Sequence, residues 1–150
     1  YKRQLLGLLV RQGREDGKNY TANLVNSQVV PSYENLALPA VREYRDLMSK
    51  NPTVPADLSA SDYQPLPSSF VSFEGFFNAR LLVEILNRLG DHPTRARIAG
   101  AVAGIQNFDL GMGPPITFAD GRNQGAEAIY YTTVEGGRFV PIRDWKEWAK

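Results

Sequence analysis

Residues 67–90, PSSFVSFEGFFNARLLVEILNRLG, form the longest segment of this chain with one unbroken helical period. Apolar residues recur in it every three or four positions, which predicts a helix with one face packed in a protein core. This apolar stripe comprises Phe70, Phe73, Phe77, Leu81, Ile85 and Leu89, widened by Phe76, Leu82 and Leu86. Ser68 and Ser69 at the start and Gly90 at the end are typical helix boundaries, so both ends are predicted.

The composition is that of a folded globular protein without a strong charge bias. Of the 150 residues, 43% are hydrophobic and 11% are aromatic, which excludes a disordered tail. Because 17 Lys and Arg residues are balanced by 16 Asp and Glu residues, the charge does not predict nucleic acid as a partner. Cysteine is absent and His92 is the only histidine, which excludes thiol catalysis and histidine-rich metal sites. No segment reaches the ~20 apolar residues of a membrane span.

Shorter elements are predicted before the long helix. The first is a helix that ends in a turn at Gly13 and Gly17, followed by a strand over 24–30. A second helix begins at Pro39, since proline is favourable in the first helical turn. Its predicted buried residues are Val41, Tyr44, Leu47 and Met48. The proline-rich residues 51–69 then predict a surface loop.

The segment after the long helix predicts one more helix and three strands. Thr94 is expected to cap this helix. The residues predicted to point inward are Ile98, Val102 and Ile105. A glycine- and proline-rich loop leads to a candidate strand over 116–118, and a hairpin with its turn at 135–137 follows. Residues 144–150 are expected to form a polar tail, and the order of elements predicts a mixed α/β protein.

The motifs of common enzymes and nucleotide-binding proteins are absent from the sequence. Gly111 and Gly113 lack the third glycine and the following helix of a nucleotide-binding loop. Asp109 and Asp120 flank this loop and would suit acid–base chemistry as a pair, although solvated turn residues are the favoured interpretation. His92 lies in a predicted turn, where a surface position is expected.

Two places in the sequence are candidates for contact with a small ligand. In the predicted first turn of the long helix, Glu74 is a candidate ligand-binding carboxylate, although stabilisation by the helix dipole is the favoured interpretation. Phe73 is expected in the core, but an early aromatic residue can also line a cleft at a helix N-terminus. Tyr33 follows a predicted strand and precedes a helix, where ligand contacts concentrate in α/β folds, and both cleft and surface positions remain open.

An ordered set of motifs resembles the carboxyl-terminal part of the type I periplasmic solute-binding proteins. The motifs are QVVP (28–31), PAVREYR (39–45), SFEGFFNAR (72–80), TRARI (94–98), DLGMGPPITF (109–118) and GGRF (136–139). Each motif alone is weak, and the specificity lies in the ordered series, which extends over about 115 residues. Within this family, the chain is most similar to the leucine/isoleucine/valine-binding kind that serves ABC importers.

The resemblance implies an α/β fold of the type I periplasmic-binding-protein kind, with two lobes joined by three crossovers. This chain would hold the carboxyl-terminal portion and parts of both lobes. Residues 1–31 would belong to the second lobe, residues 32–118 to the return segment of the first lobe, and residues 119–150 to the final crossover and the second-lobe hairpin. The chain begins at Tyr1 rather than Met, so we expect either a removed signal or a start within a longer protein.

The implied function is the capture of a small solute without chemistry. The resemblance implies a periplasmic, or otherwise extracytoplasmic and membrane-associated, receptor that delivers an amino acid or similar small organic acid to an ABC permease. No catalytic residue, metal or cofactor is implied. The residues that match positions near the ligand cleft are Tyr33, Ser72, Phe73 and Glu74. The missing amino-terminal portion, or a second copy of the chain, is expected to cover exposed strand edges and apolar faces.

Two other functions remain open at this point. A ligand-binding sensor domain of a signalling receptor can use the same fold, and a membrane helix after Lys150 would favour it. An α/β enzyme would require a nucleophile or a base in a pocket, and the sequence contains no convincing triad or metal-binding set.

Overall fold

The computed structural model describes residues 2–51, 66–119 and 121–148. The fold divides into two compact units: unit 1 comprises Tyr1–Asn35 and Ile129–Lys150, and unit 2 comprises Leu36–Ala128. The chain therefore leaves unit 1 once and returns to it once. The predicted mixture of helices and strands is confirmed, whereas the assignment of segments to two lobes stays a prediction.

Unit 1 contains a small antiparallel sheet and two helices. The described residues of this unit form helices α1 (Lys2–Asp16) and α5 (Trp145–Trp148) and strands β1 (Asn26–Gln28), β2 (Tyr130–Glu135) and β3 (Arg138–Pro141). The order of the strands in the sheet is β1–β2–β3, with antiparallel pairing throughout. Its buried residues include Leu6, Val30, Thr132, Thr133 and Phe139.

The predicted hairpin is confirmed, with β2 and β3 joined by a two-residue turn. Glu135 pairs with Arg138, which leaves Gly136 and Gly137 as the turn residues. Their φ angles are 55° and 76°, the left-handed values that a type I′ turn requires at both positions. Glycine adopts these angles without a steric penalty, so the Gly-Gly pair fixes the register of the hairpin.

Strand β1 is shorter than the sequence predicted. A strand over 24–30 was expected, but only Asn26–Gln28 pair with β2. Strand β2 begins at Tyr130, directly opposite Gln28, so Val29 has no ladder partner among the described residues. Val29 is consequently 60% exposed.

The prediction of a turn at Gly13 is wrong, because α1 continues to Asp16. The helix ends instead before Gly17, which has a φ of 64°. The amide of Lys18 then donates to the carbonyl of Gly13 at 2.9 Å, the long-range bond of a Schellman motif. Gly13 is needed for this close approach, because a Cβ there would lie 2.4 Å from the Lys18 carbonyl oxygen.

The predicted polar tail is also wrong in part, because it contains the short helix α5. The carboxylate of Asp144 accepts a hydrogen bond from the Lys146 amide at 2.7 Å and caps the helix. The ring of Trp145 lies 5.1 Å from Tyr131 and 5.6 Å from Trp148, with both pairs near perpendicular. Packing of aromatic rings therefore holds a segment that is too short to form a helix alone.

Unit 2 contains three described helices: α2 (Pro39–Lys50), α3 (Phe70–Leu89) and α4 (Arg95–Ala103). Helix α3 is the predicted long helix, and its bounds agree with the prediction within three residues at the start. The buried apolar residues of this unit are Ala40, Val41, Tyr44, Phe73, Phe77, Leu89, Ile105, Leu110, Met112 and Ile116. Within the described ranges, no helix combines the length and apolar character needed to span a membrane.

Several local predictions for unit 2 need correction. Ile98 was expected to point inward but is 42% exposed, whereas Ile105 is fully buried although α4 ends before it. The segment 116–118 is not a strand, because only Ile116 pairs, through an isolated bridge with Phe108. Leu47 on α2 was predicted to be buried but is 43% exposed. Most of the predicted loop over 51–69 lies outside the described residues.

Candidate functional site

The first turn of α3 is fixed by a serine cap. Ser69 has extended backbone angles, with φ −152° and ψ 160°, and its hydroxyl accepts a hydrogen bond from the Ser72 amide at 3.1 Å. Its carbonyl accepts the first helical bond, from the Phe73 amide at 3.0 Å. This arrangement satisfies amide groups that would otherwise have no partner inside the helix, and it explains why α3 begins at Phe70.

A cluster of three hydroxyl groups lies at this helix start. The hydroxyl of Tyr44, on α2, lies 2.6 Å from the hydroxyl of Ser72 and accepts a hydrogen bond from the Ser69 amide at 3.1 Å. The hydroxyls of Ser69 and Ser72 are 2.9 Å apart. Tyr44 is only 1% exposed, so its hydroxyl depends on these partners. We call Tyr44, Ser69 and Ser72 the hydroxyl cluster.

An aromatic cluster lies beneath the same turn. Phe73 is fully buried, with its ring centroid 4.7 Å from that of Tyr44 and 4.6 Å from that of Phe77. Phe76 packs at the edge of this group, 5.8 Å from Tyr44. Arg80 lies over the Phe76 ring at 5.7 Å, in position for a cation–π interaction. The first two turns of α3 are therefore anchored firmly to α2.

The structure places the three predicted α3 residues in different environments. Ser72 is half-buried within the hydroxyl cluster, Phe73 is fully buried, and Glu74 is exposed. Because α3 begins at Phe70, Glu74 is its fifth residue, and the first turn contains no acidic residue. The helix-dipole explanation of Glu74 is therefore weakened, since that effect is confined largely to the first turn.

Tyr33, the fourth predicted residue, lies in unit 1. It occupies a turn closed by a hydrogen bond from the Asn35 amide to the Ser32 carbonyl at 3.0 Å. The Ser32 hydroxyl accepts a bond from the Glu34 amide at 3.2 Å and donates to the Phe139 carbonyl at 3.4 Å, so the turn is attached to β3. Tyr33 is half-buried. The predicted residues thus fall in two units, and their grouping into one ligand site stays a prediction.

The glycine-rich loop around 109–113 has a structural role in unit 2. The Asp109 carboxylate accepts a hydrogen bond from the Gly111 amide at 2.6 Å, and the Gly111 carbonyl accepts one from the Ala40 amide at 3.2 Å. A Cβ at Gly111 would lie 3.1 Å from the Ala40 nitrogen, so the loop packs closely on the start of α2. The interpretation of Asp109 as a turn residue agrees with this geometry, whereas Asp120 lies outside the described residues.

Other chemistry-bearing residues of the sequence do not converge on a centre. His92 is exposed. Arg80 contacts the Glu43 carboxylate at 2.9 Å and the Leu110 carbonyl at 3.3 Å, and both partners belong to unit 2. The part of the chain that the structure describes contains no group of three or more potential metal-ligating side chains. The helical spacing predicted that Tyr44 is buried but did not predict the hydrogen bonds of its hydroxyl. A signal was present, because a buried tyrosine usually has a hydrogen-bond partner for its hydroxyl.

Comparison with known proteins identifies the fold. The chain is similar to the crystal structure of a possible leucine/isoleucine/valine-binding protein from Rhodopirellula baltica SH 1, with a TM-score of 0.69 and 25% sequence identity over 94% of the chain. It also matches a substrate-binding periplasmic protein from Ralstonia solanacearum, with a TM-score of 0.61 and 24% identity over 79% of the chain. A scan against protein-family models and a search of curated proteins gave no significant match.

The similarity covers only part of each known structure. The chain spans 40% of the length of the Rhodopirellula protein and 31% of that of the Ralstonia protein. The first is a possible leucine/isoleucine/valine-binding protein, and the second is a substrate-binding periplasmic protein. The ordered motifs of the sequence indicate the same group of proteins. The resemblance of the sequence is therefore confirmed at the level of the fold: this chain has the fold of the type I periplasmic solute-binding proteins.

Proposed function

We propose that this chain is part of an extracytoplasmic receptor that captures a small ligand, an amino acid or a similar small organic acid, and delivers it to an ABC importer. The observation that carries this proposal is the structural likeness to a possible leucine/isoleucine/valine-binding protein over 94% of the chain. The chain covers 40% of that protein. The ligand, the permease and the periplasmic location of the whole receptor are therefore proposed and do not follow from the comparison.

Four residues have roles in this proposal. The exposed carboxylate of Glu74 and the half-buried hydroxyl of Ser72 are suited to polar groups of a solute, and Tyr33 is suited to an aromatic contact. A direct contact from Phe73 would require its ring to leave a cluster in which it is fully buried. We therefore assign Phe73 the role of supporting the Ser72 surface from the core.

The proposal includes association with the remaining portion of the receptor or with a second copy. Support comes from large apolar side chains that are exposed on α3, where Val71 is 80% exposed and Leu82 and Val83 are each 56% exposed. Val29 and Ile129 in unit 1 are each 60% exposed. Surfaces of this kind favour a partner because their burial removes apolar area from water. Light scattering after size exclusion should show association, and a stable monodisperse monomer would contradict it.

A thermal-shift screen tests solute capture. The protein is produced from the complete coding region that contains this chain and is heated with branched-chain amino acids, aromatic amino acids and small organic acids. A bound solute at 100 times its Kd should stabilise the folded state by about 2.7 kcal/mol. Ser72→Ala and Glu74→Gln should reduce this shift, whereas Asn87→Ala, at an exposed position of the same helix, should not. Turnover of a substrate by the pure protein, or no shift with any solute, would contradict the proposal.

A further inference from the structure

Unit 1 contains a cavity of about 320 Å³ that none of the predicted ligand-binding residues lines. Its walls are the last two turns of α1, the loop over 18–21 and the turn between β2 and β3. Strand β2 has six residues and separates this turn from Ile129, where the chain re-enters unit 1. At about 3.3 Å per residue, the turn lies about 20 Å along the strand from that point.

The absence of side chains at three glycines keeps this cavity open. Gly13 forms part of the helix wall, and the chain turns back beneath it because Lys18 donates its amide to the Gly13 carbonyl. Gly136 and Gly137 form the opposite edge, where an added Cβ would meet nothing within 4 Å. The two-residue turn also leaves both glycine amides outside the strand ladder, since the ladder closes at the pair of Glu135 and Arg138.

The charged side chains that line the cavity are both cationic. Arg14 and Lys18 are exposed lining residues, and neither forms an ion pair within the described part of the chain. The nearby carboxylate of Asp16 is not a lining residue, and it accepts hydrogen bonds from Gln12 at 3.2 Å and from Tyr20 at 2.8 Å. This hydrogen bond to Asp16 raises the pKa of Tyr20 above its ordinary value of 10.0.

The cavity also has an apolar wall and a fixed polar floor. Leu9 and Val10 are half-buried and line one side. On the floor, the Asn19 side-chain oxygen accepts hydrogen bonds from the Thr21 amide at 3.0 Å and from the Thr21 hydroxyl at 2.8 Å. The loop is thus held in one conformation without a ligand. A small concave site with an apolar side and a few converging polar groups is typical of ligand pockets.

We propose that this cavity binds a small monocarboxylate with a short apolar body. The carboxylate would meet Arg14 and Lys18, because charge-assisted hydrogen bonds to a carboxylate are the strongest that these side chains form. The apolar body would lie against Leu9 and Val10, and its size is limited by the volume of about 320 Å³. None of the residues proposed for solute capture lines this cavity, so this proposal does not depend on that one.

Nuclear magnetic resonance tests this site, with ¹⁵N-labelled protein produced from the complete coding region that contains this chain and isovalerate as the probe at pH 7 and low salt. Isovaleramide has the same shape without the charge, and inorganic phosphate has charge without the apolar body. Saturable shifts of the Lys18, Gly136 and Gly137 amides are expected with isovalerate, and weaker ones with either comparison compound. Equal binding of isovaleramide or of phosphate would overturn the proposal, as would shifts confined to residues 72–74.

Substitution of Arg14 and Lys18 is the second test of this site. Arg14→Gln and Lys18→Gln should each weaken isovalerate binding by about two- to fivefold, the effect of one exposed charge pair. Arg11→Gln is the matched control, because Arg11 is exposed on the same helix but does not line the cavity. A loss with Arg11→Gln as large as that with Arg14→Gln would overturn the proposal, since it would indicate a general effect of charge. An unchanged amide spectrum elsewhere in each variant shows that the fold is intact.

Discussion

Replacing Gly13 with alanine should destabilise the chain, whereas the same change at Gly7 should stabilise it. Both glycines lie within α1, where alanine is normally more stable than glycine by about 0.5–1 kcal/mol. A Cβ at Gly7 would meet nothing within 4 Å, so Gly7→Ala should be stabilised by the full difference in helix propensity between alanine and glycine. A Cβ at Gly13 would lie 2.4 Å from the carbonyl oxygen of Lys18, a distance that real Cβ contacts essentially never show.

The size of the Gly13→Ala effect follows from two opposing terms. Overpacking against a backbone atom costs about 1–3 kcal/mol, because the backbone cannot rotate away as a side chain can. The Lys18 amide would also lose its bond to the Gly13 carbonyl, a further loss of about 1 kcal/mol. After the helix-propensity gain is subtracted, we expect a net destabilisation of about 1–3.5 kcal/mol.

Thermal unfolding followed by far-ultraviolet circular dichroism measures this difference. The two variants should differ by about 2–4 kcal/mol, because both receive the same helix-propensity gain. In a chain of this size each kcal/mol corresponds to about 2–4 °C in Tm, so the expected difference is about 4–16 °C. Hydrogen exchange at the Lys18 amide should accelerate in Gly13→Ala only. A Gly13→Ala variant that melts at or above the parent temperature would refute the assigned role of Gly13 in the turn after α1.

Three further predictions concern single side chains. Tyr44→Phe removes one partner of the Ser72 hydroxyl and the acceptor of the Ser69 amide, so it should lower the free energy of unfolding by about 1–2 kcal/mol in urea titration. Gly125→Ala places a Cβ 2.5 Å from the Phe118 ring, and it should cost less than Gly13→Ala in the same assay because the half-buried ring can shift. Partial burial raises the pKa of Tyr130 above its ordinary value of 10.0, so its contribution to stability is present below pH 10 and lost as the pH rises through the folded-state pKa. Tyr130→Phe should therefore lose less stability than the parent chain between pH 8 and 11.

Two control substitutions distinguish these specific effects on stability from a general destabilisation of the fold. Tyr20→Phe removes a hydroxyl that donates to Asp16 at the surface, and it should leave the free energy of unfolding nearly unchanged. Gly100→Ala in α4 adds a Cβ where nothing lies within 4 Å, so it should not destabilise. Equal losses in Tyr44→Phe and Tyr20→Phe would contradict the assigned role of the hydroxyl cluster. Identical alkaline profiles for Tyr130→Phe and the parent would contradict the role of Tyr130.

The elements that sequence analysis predicted well are those whose signals are local. The caps Ser69 and Gly90 lie at the ends of α3, and the turn glycines 136 and 137 lie at the end of the hairpin, so neighbouring residues determine both. The short strand β1 was harder to predict, because its length depends on where β2 begins about a hundred residues later. Helix α5 depends in the same way on packing between Trp145 and Tyr131, which no local signal reveals.

The candidate site was predictable in position but not in detail. Helical period placed Phe73 and Phe77 on one face, and burial of both residues agrees with that. Period alone cannot show that the Tyr44 hydroxyl lies over the helix start, since α2 and α3 are separated by nineteen residues of sequence. The contact between Gly111 and Ala40 was missed for the same reason, because a glycine signals close approach without naming the partner.

The hydroxyl cluster also has a property that rigid packing alone would not provide. Its oxygen positions are fixed by the buried ring of Tyr44 and by the serine cap, but either oxygen can act as donor in the contacts of Ser72 with Tyr44 and Ser69. Rotation of three O–H bonds therefore reverses the direction of the chain of hydrogen bonds while every heavy atom stays in place. In either direction the single proton of Ser72 is donated to one neighbour, so a group that approaches Ser72 would meet an acceptor. The hydroxyls of Tyr44 and Ser69, at the ends of the chain, can exchange the roles of donor and acceptor with no ordering of side chains needed at the moment of contact.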